Sequence, residues 1–206
     1  MRHRISRLAL PILGLAMAAC APAARAGVVS ILDTAVNPAN GHIYYLISKQ
    51  TWTSAETEAQ GLGGHLVTIN DAAENQFIVD RFILTGHAGD PMWIGINDQS
   101  VEGTFAWSSG QPVTFTNWYT GEPNNAGAGE DYGAINWIFA GGFSTDHGVW
   151  NDTPVAGTTG FPGTTNGPYL AVVEVLPEPT GDLALLPVAL ALVRTRRHGP
   201  RAARVA

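Results

Sequence analysis

Glu122, Asn124, Asn125, Glu130 and Asp131 lie close together in the chain, and Asn151 and Asp152 follow some twenty residues later. Carboxylate and amide oxygens of mixed charge are the ligands of a hard cation such as calcium, which takes about 6 to 8 of them. No thiol or imidazole stands among them, so zinc and nucleophilic catalysis fit poorly. The run from Gly121 to Gly129 is rich in Gly, Pro and Asn, which excludes a helix or a central strand and leaves a loop able to wrap an ion. The same residues admit a hydrolytic reading with Glu122 and Glu130 as paired carboxylates. Ion ligation explains them better, because a carboxylate bound to a cation is a poor general acid.

Something must position this loop. Residues 43–47 read as an apolar, aromatic strand after the turn at Asn40 and Gly41. Thr53 with Glu56 suggests a capping box, followed by Ala55, Ala59 and Leu62 at helical spacing and a stop at Gly63 and Gly64. After a short link, 66–69, a second helix starts at Asn70 or Asp71, with Ala73, Phe77, Ile78 and Phe82 on one face. Short strands are expected at 92–96, 104–107, 133–138, 149–151 and 169–175, joined by Gly-rich loops. Helices first and strands later give an α+β fold. Trp93, Trp107, Trp118 and Trp137 read as core, and Trp150 as the anchor of Asn151 and Asp152. His42 and His65 read as packed or turn residues, since no His spacing suggests a metal pair.

Composition divides the chain in three. Residues 1–26 form a signal peptide: Arg2, Arg4 and Arg7, an apolar stretch, then Ala24-Arg25-Ala26. Cys20 offers a lipoprotein site as an alternative. Residues 27–176 form one domain, free of cysteine once the signal is removed. Between Gly27 and Pro179 only Lys49 and Arg81 oppose sixteen Asp and Glu, a formal net charge of −14. That balance disfavours nucleic acid and anionic membrane surfaces as partners. Residues 177–206 carry Pro177-Glu178-Pro179, an apolar stretch and an Arg cluster, the order of a stop signal. This resembles the PEP-CTERM sorting tail of Gram-negative bacteria that make exopolysaccharide, although the apolar stretch is short and holds Pro187. The resemblance implies a sorting machinery as partner, with membrane contact only transient through signal and tail.

From Gly41 to Val175 the chain resembles a C-type lectin domain. The resemblance is carried by the opening segment of residues 41–78, by Trp93-Ile94-Gly95-Ile96-Asn97-Asp98, by Glu122-Pro123-Asn124 and by Trp150-Asn151-Asp152, in the family's order and spacing. It implies a C-type lectin-like fold of two helices, short and mostly antiparallel strands and a long calcium-binding loop. It implies a principal calcium held by Glu122, Asn124, Glu130, Asn151 and Asp152, with the same side chains bonding two neighbouring sugar hydroxyls. Pro123 would be cis. An auxiliary calcium would fall on Asp98, Glu102, Asn125, Glu130 and Asp131, with Asn125 where Asp is usual; a solvated turn at 98–102 is the alternative. Glu-Pro-Asn goes in the family with mannose-, glucose- or fucose-type sugars. The family's disulfides are missing, and Tyr132 stands in place of one of their cysteines. Tyr119 and Phe143 could stack on a sugar face, with nothing in the sequence to select either. Together these readings describe a non-enzymatic, calcium-dependent binder of a glycan or exopolysaccharide, exported to the surface of a Gram-negative-type bacterium. The alternative is an adhesion or matrix protein on the same fold with structural calcium.

Overall fold

The computed structural model describes residues 30–127, 129–140, 142–158 and 167–177. The expected signal peptide with Cys20, the tail beyond 177 and much of the 153–168 loop lie outside the described residues. Strands β1 (Ile31–Val36), β2 (Ile43–Gln50), β3 (His65–Leu66), β4 (Met92–Asn97), β5 (Ala106–Trp107), β6 (Tyr132–Ile135), β7 (Trp150–Thr153) and β8 (Tyr169–Val175) join one sheet. Helices α1 (Trp52–Gly61), α2 (Ala72–Ile78) and α3 (Trp137–Ala140) accompany it. This is the expected α+β arrangement, with two main helices and mostly antiparallel strands. Among the described residues no helix is long and apolar enough to cross a membrane.

The sheet runs β1-β2-β8-β4-β6-β7. Strand β8 is central, antiparallel to β2 and parallel to β4. A strand covered on both faces reads as a continuous apolar run, and Leu170 to Val173 is one, buried throughout. Neighbouring residues serve opposite faces. Leu46, Ile94 and Val172 join one apolar cluster, with Phe82 and Trp150. Ile47, Trp93 and Val173 join the other, with Trp52 and Tyr169. Two layers of core on one sheet hold the domain without a disulfide.

Several local expectations need correction. Helix α1 is capped by Thr51, whose hydroxyl accepts from the Ser54 N–H at 3.3 Å, not by Thr53. Glu56 therefore stands in the second turn and faces inward. It accepts from Leu66 N–H and Ser108 Oγ, both at 2.9 Å, and meets His65 Nδ1 at 2.6 Å. It ties α1 to β3 and to the chain after β5. Asp71 caps α2, accepting from Glu74 N–H at 2.9 Å. The helix continues as a π-helical turn over Val79–Ile83. Strand β1 had no sequence signal, because an exposed edge strand lacks a buried alternation. The expected strand 133–138 ends at Ile135, where Asn136 turns the chain at φ 66° and α3 begins.

Candidate calcium and sugar site

Strands β6 and β7 pair antiparallel, with Gly133 opposite Asp152 and Ala134 opposite Asn151. Glycine is required at 133: a Cβ there would lie 2.2 Å from Ile96 Cγ2, so β6 could not approach β4. Trp150 fixes the other side. It is fully buried, its indole N–H donates to Asn75 Oδ1 at 2.8 Å, and its ring meets Trp107, Phe115 and Trp118 edge-on. Its backbone N–H donates to Asn117 C=O, and its carbonyl accepts from Tyr119 N–H, both at 2.9 Å. One residue thus aligns Asn151 and Asp152 with the start of the Glu122 loop.

The loop folds back on its own carboxylates. The Glu122–Pro123 peptide is cis. Asp152 Oδ1 accepts from Asn124 N–H at 3.1 Å and Oδ2 from Asn125 N–H at 2.8 Å. Glu130 Oε2 accepts from Ala126 N–H at 2.7 Å. Asn125, at φ 47°, turns its side-chain oxygen inward to the N–H groups of Gly129 and Glu130, at 2.8 and 3.1 Å. Glu122, Asn124, Glu130 and Asn151 line a cavity of about 250 Å³, and Asp152 holds the backbone of the same loop through the Asn124 and Asn125 N–H groups.

The residues of the second set lie alongside. Asp98 N–H donates to Asp131 C=O at 3.1 Å, Asn125 Nδ2 donates to Glu102 Oε1 at 2.8 Å, and Asp98 Oδ2 accepts from Gly103 N–H at 2.8 Å. The 98–103 segment is a hydrogen-bonded turn, and Asn125 acts within it as a clamp between loops.

Both basic residues of the domain are committed elsewhere. Lys49 pairs with Asp90, and Arg81 pairs with Asp33 at the edge strand. Burial first, and then the charges of Asp152 and Glu130, push the Glu122 carboxyl up to about 7. Burial, aided by Asp152, pushes Glu130 up to about 7 as well. Burial raises Asp98, with Asp131 and Asp152 adding to it, and Glu102 moves the same way. Glu122 Oε2 and Asp98 Oδ1 are buried without a hydrogen-bond partner among the described residues. A buried carboxylate oxygen left unmatched is costly. Oxygen donors, unmet negative charge and orphaned lone pairs all fit a hard divalent cation such as calcium.

A cluster invisible in the sequence lies elsewhere. His42 Nδ1 meets Glu174 Oε1 at 2.6 Å, and Tyr44 OH donates to Glu74 Oε1 at 2.5 Å; ligand atoms of His42, Glu74 and Glu174 lie within 4.8 Å of one another. Only the fold brings positions 42, 74 and 174 together, so spacing gave no signal. Their remaining carboxylate oxygens are taken by the N–H groups of Asn70 and Thr68.

Comparison with known proteins converges on one family. The chain is 38% identical to the mouse low affinity immunoglobulin epsilon Fc receptor over 88 residues, which are 43% of this chain and 25% of the receptor. It thus spans about a quarter of that relative's length. The carbohydrate-recognition domain of cow CD23, solved in the presence of a GlcNAc2Man3 oligosaccharide, superposes with a TM-score of 0.52 at 28% identity, covering 66% of this chain and 89% of that one. The C-type lectin CEL-I of Cucumaria echinata gives a TM-score of 0.52 at 26% identity, covering 66% and 91%. Residues 48–156 match the family model of the lectin C-type domain, and the chain belongs to that family.

Proposed function

We propose that this protein binds carbohydrate through calcium, without catalysis, as an exported bacterial lectin held at the cell surface or in an exopolysaccharide matrix. The observation that carries the reading is the cavity lined by Glu122, Asn124, Glu130 and Asn151, with a buried Glu122 oxygen that has no partner and, among the described residues, no basic side chain to balance the charge. Glu122, Asn124, Glu130, Asn151 and Asp152 would hold the principal calcium; Asp98, Glu102 and Asp131, with Asn125 as clamp, are the residues of an auxiliary one. The bound ion supplies positive charge that a pair of sugar hydroxyls can coordinate. The protein's own part is complementary: carboxylates accept from those hydroxyls, and the Asn124 and Asn151 amides donate to them. Glu-Pro-Asn supports mannose-, glucose- or fucose-type sugars. The PEP-CTERM-like tail supports recognition by sorting machinery.

Glycan-array binding tests this directly. Binding to mannose- or glucose-type sugars that a chelator removes is the expected result. A folded protein that binds no sugar with calcium present would refute it. One observation favours the second reading, a structural calcium in an adhesion or matrix protein: Asp152 and Glu130 grip the loop backbone, so an ion there would order the loop whether or not sugar follows. Calcium-dependent binding to a partner, insensitive to free mannose, is the result that selects it.

The raised carboxyls set a pH dependence. In the ion-free protein Glu122 and Glu130 hold protons up to about 7, above the ordinary 4.5. The folded state then binds more protons than the unfolded chain between those values. The stability they contribute is complete below 4.5 and is lost as pH rises through 7. Melting temperature in chelator should therefore fall from pH 5 to pH 8. Calcium competes with those protons, so its stabilising shift should grow over the same range. Scanning fluorimetry at both pH values checks this; a calcium shift equal at pH 5 and pH 8 would rule out a carboxylate-built site.

A further inference from the structure

The cavity beside the carboxylates extends further than an ion site needs. Its volume, about 250 Å³, equals roughly eight waters at about 30 Å³ each. Three aromatic side chains, Tyr119, Trp137 and Phe143, also line it. We propose that this wall is a subsite for a second sugar unit, linked to the one anchored at the carboxylates, so that the protein selects oligosaccharides over monosaccharides. The inference rests on the calcium-dependent sugar reading above.

The wall is built, not incidental. Trp137 and Phe143 come from the stretch between β6 and β7, where Asn136 turns the chain and its Nδ2 donates to the carbonyls of Ala88 and Asp90 at 3.0 and 2.9 Å. Trp137 donates from Nε1 to Tyr169 OH at 2.8 Å, and Tyr169 OH also accepts from Thr158 N–H at 2.7 Å. The Phe143 ring lies nearly parallel to Trp137, at 8° with centroids 6.1 Å apart. Tyr119 OH donates to the Phe143 carbonyl at 3.2 Å, joining the wall to the loop that leads into Glu122. Phe143 is nevertheless 54% exposed. An exposed aromatic ring next to converging polar groups is the composition of a ligand site. A pyranose unit has a C–H face and a hydroxyl rim. With the first unit fixed by its hydroxyls at Glu122, Asn124, Glu130 and Asn151, the aromatic wall accepts the C–H face of its neighbour. No carboxylate stands among the three wall residues, so this part of the cavity adds apolar contact and no further ion ligand.

Isothermal titration of the full-length protein in calcium with methyl α-mannoside and with α-linked mannobioses tests the proposal. The wild type should bind at least one mannobiose roughly threefold to tenfold more tightly than the monosaccharide, the range of one aromatic contact. Phe143→Ala should abolish that preference and leave the methyl mannoside affinity within about twofold. Phe143→Trp should keep the preference. A wild type without preference, or a Phe143→Ala variant that retains it, overturns the subsite while leaving the calcium reading intact. Absence of any calcium-dependent binding by the wild type, to these mannosides and to methyl glucoside and methyl fucoside alike, overturns both.

Discussion

Asp152→Asn is expected to weaken calcium binding by at least about 100-fold and to abolish calcium-dependent retention on immobilised mannose. The substitution is nearly isosteric, so it changes charge and acceptor count, not packing. Asp152 is 1% exposed and both its oxygens receive loop N–H groups, from Asn124 and Asn125. An amide in its place offers a single acceptor oxygen and would turn N–H toward N–H at one of the two contacts. The site would lose a negative charge, and the loop carrying Glu122 and Asn124 would lose half its tether. Calorimetric calcium titration is the measurement. An unchanged affinity would remove Asp152 from the ligand set, and with it the assignment of the principal site.

Trp150→Ala should cost about 3–5 kcal/mol of stability, equivalent to about 6–20 °C of melting temperature for a domain of this size. The ring is fully buried against Trp107, Phe115 and Trp118, and its loss leaves Asn75 Oδ1 without its 2.8 Å donor. Denaturant titration measures the effect. Sugar retention should disappear at temperatures where the variant is still folded, because the same residue aligns β7 with the Glu122 loop. Full binding by a folded variant would show that the anchor is dispensable to the site.

The legible part of this fold is what local chemistry specifies. Strand β8 and the Asp71 cap could be read because a continuous apolar run and an Asx cap act through near neighbours. The Glu122 loop could be read because its composition admits little else. What escaped depends on partners distant in sequence. Glu56 looks like a capping residue beside Thr53, yet it is a buried acceptor for Leu66 N–H and Ser108 Oγ. The aromatic side of the cavity depends on Asn136 adopting a positive φ, a conformation Asn tolerates without advertising it. The grip of Asp152 on the loop backbone requires β6 and β7 in register, which neither tripeptide reveals alone.

The pairing of Lys49 with Asp90 and of Arg81 with Asp33 has a consequence for which polymers can approach. The face around Glu122, Glu130 and Asp152 is left with carboxylates of one sign among the described residues, and their field reaches about 8 Å into physiological saline. Calcium ions are drawn toward it. A polysaccharide bearing uronic acid or sulfate must bring its own anions into that field, with no ammonium or guanidinium among the described residues there to receive them. For the sugar binding proposed above, the expected consequence is a preference for neutral chains over acidic ones.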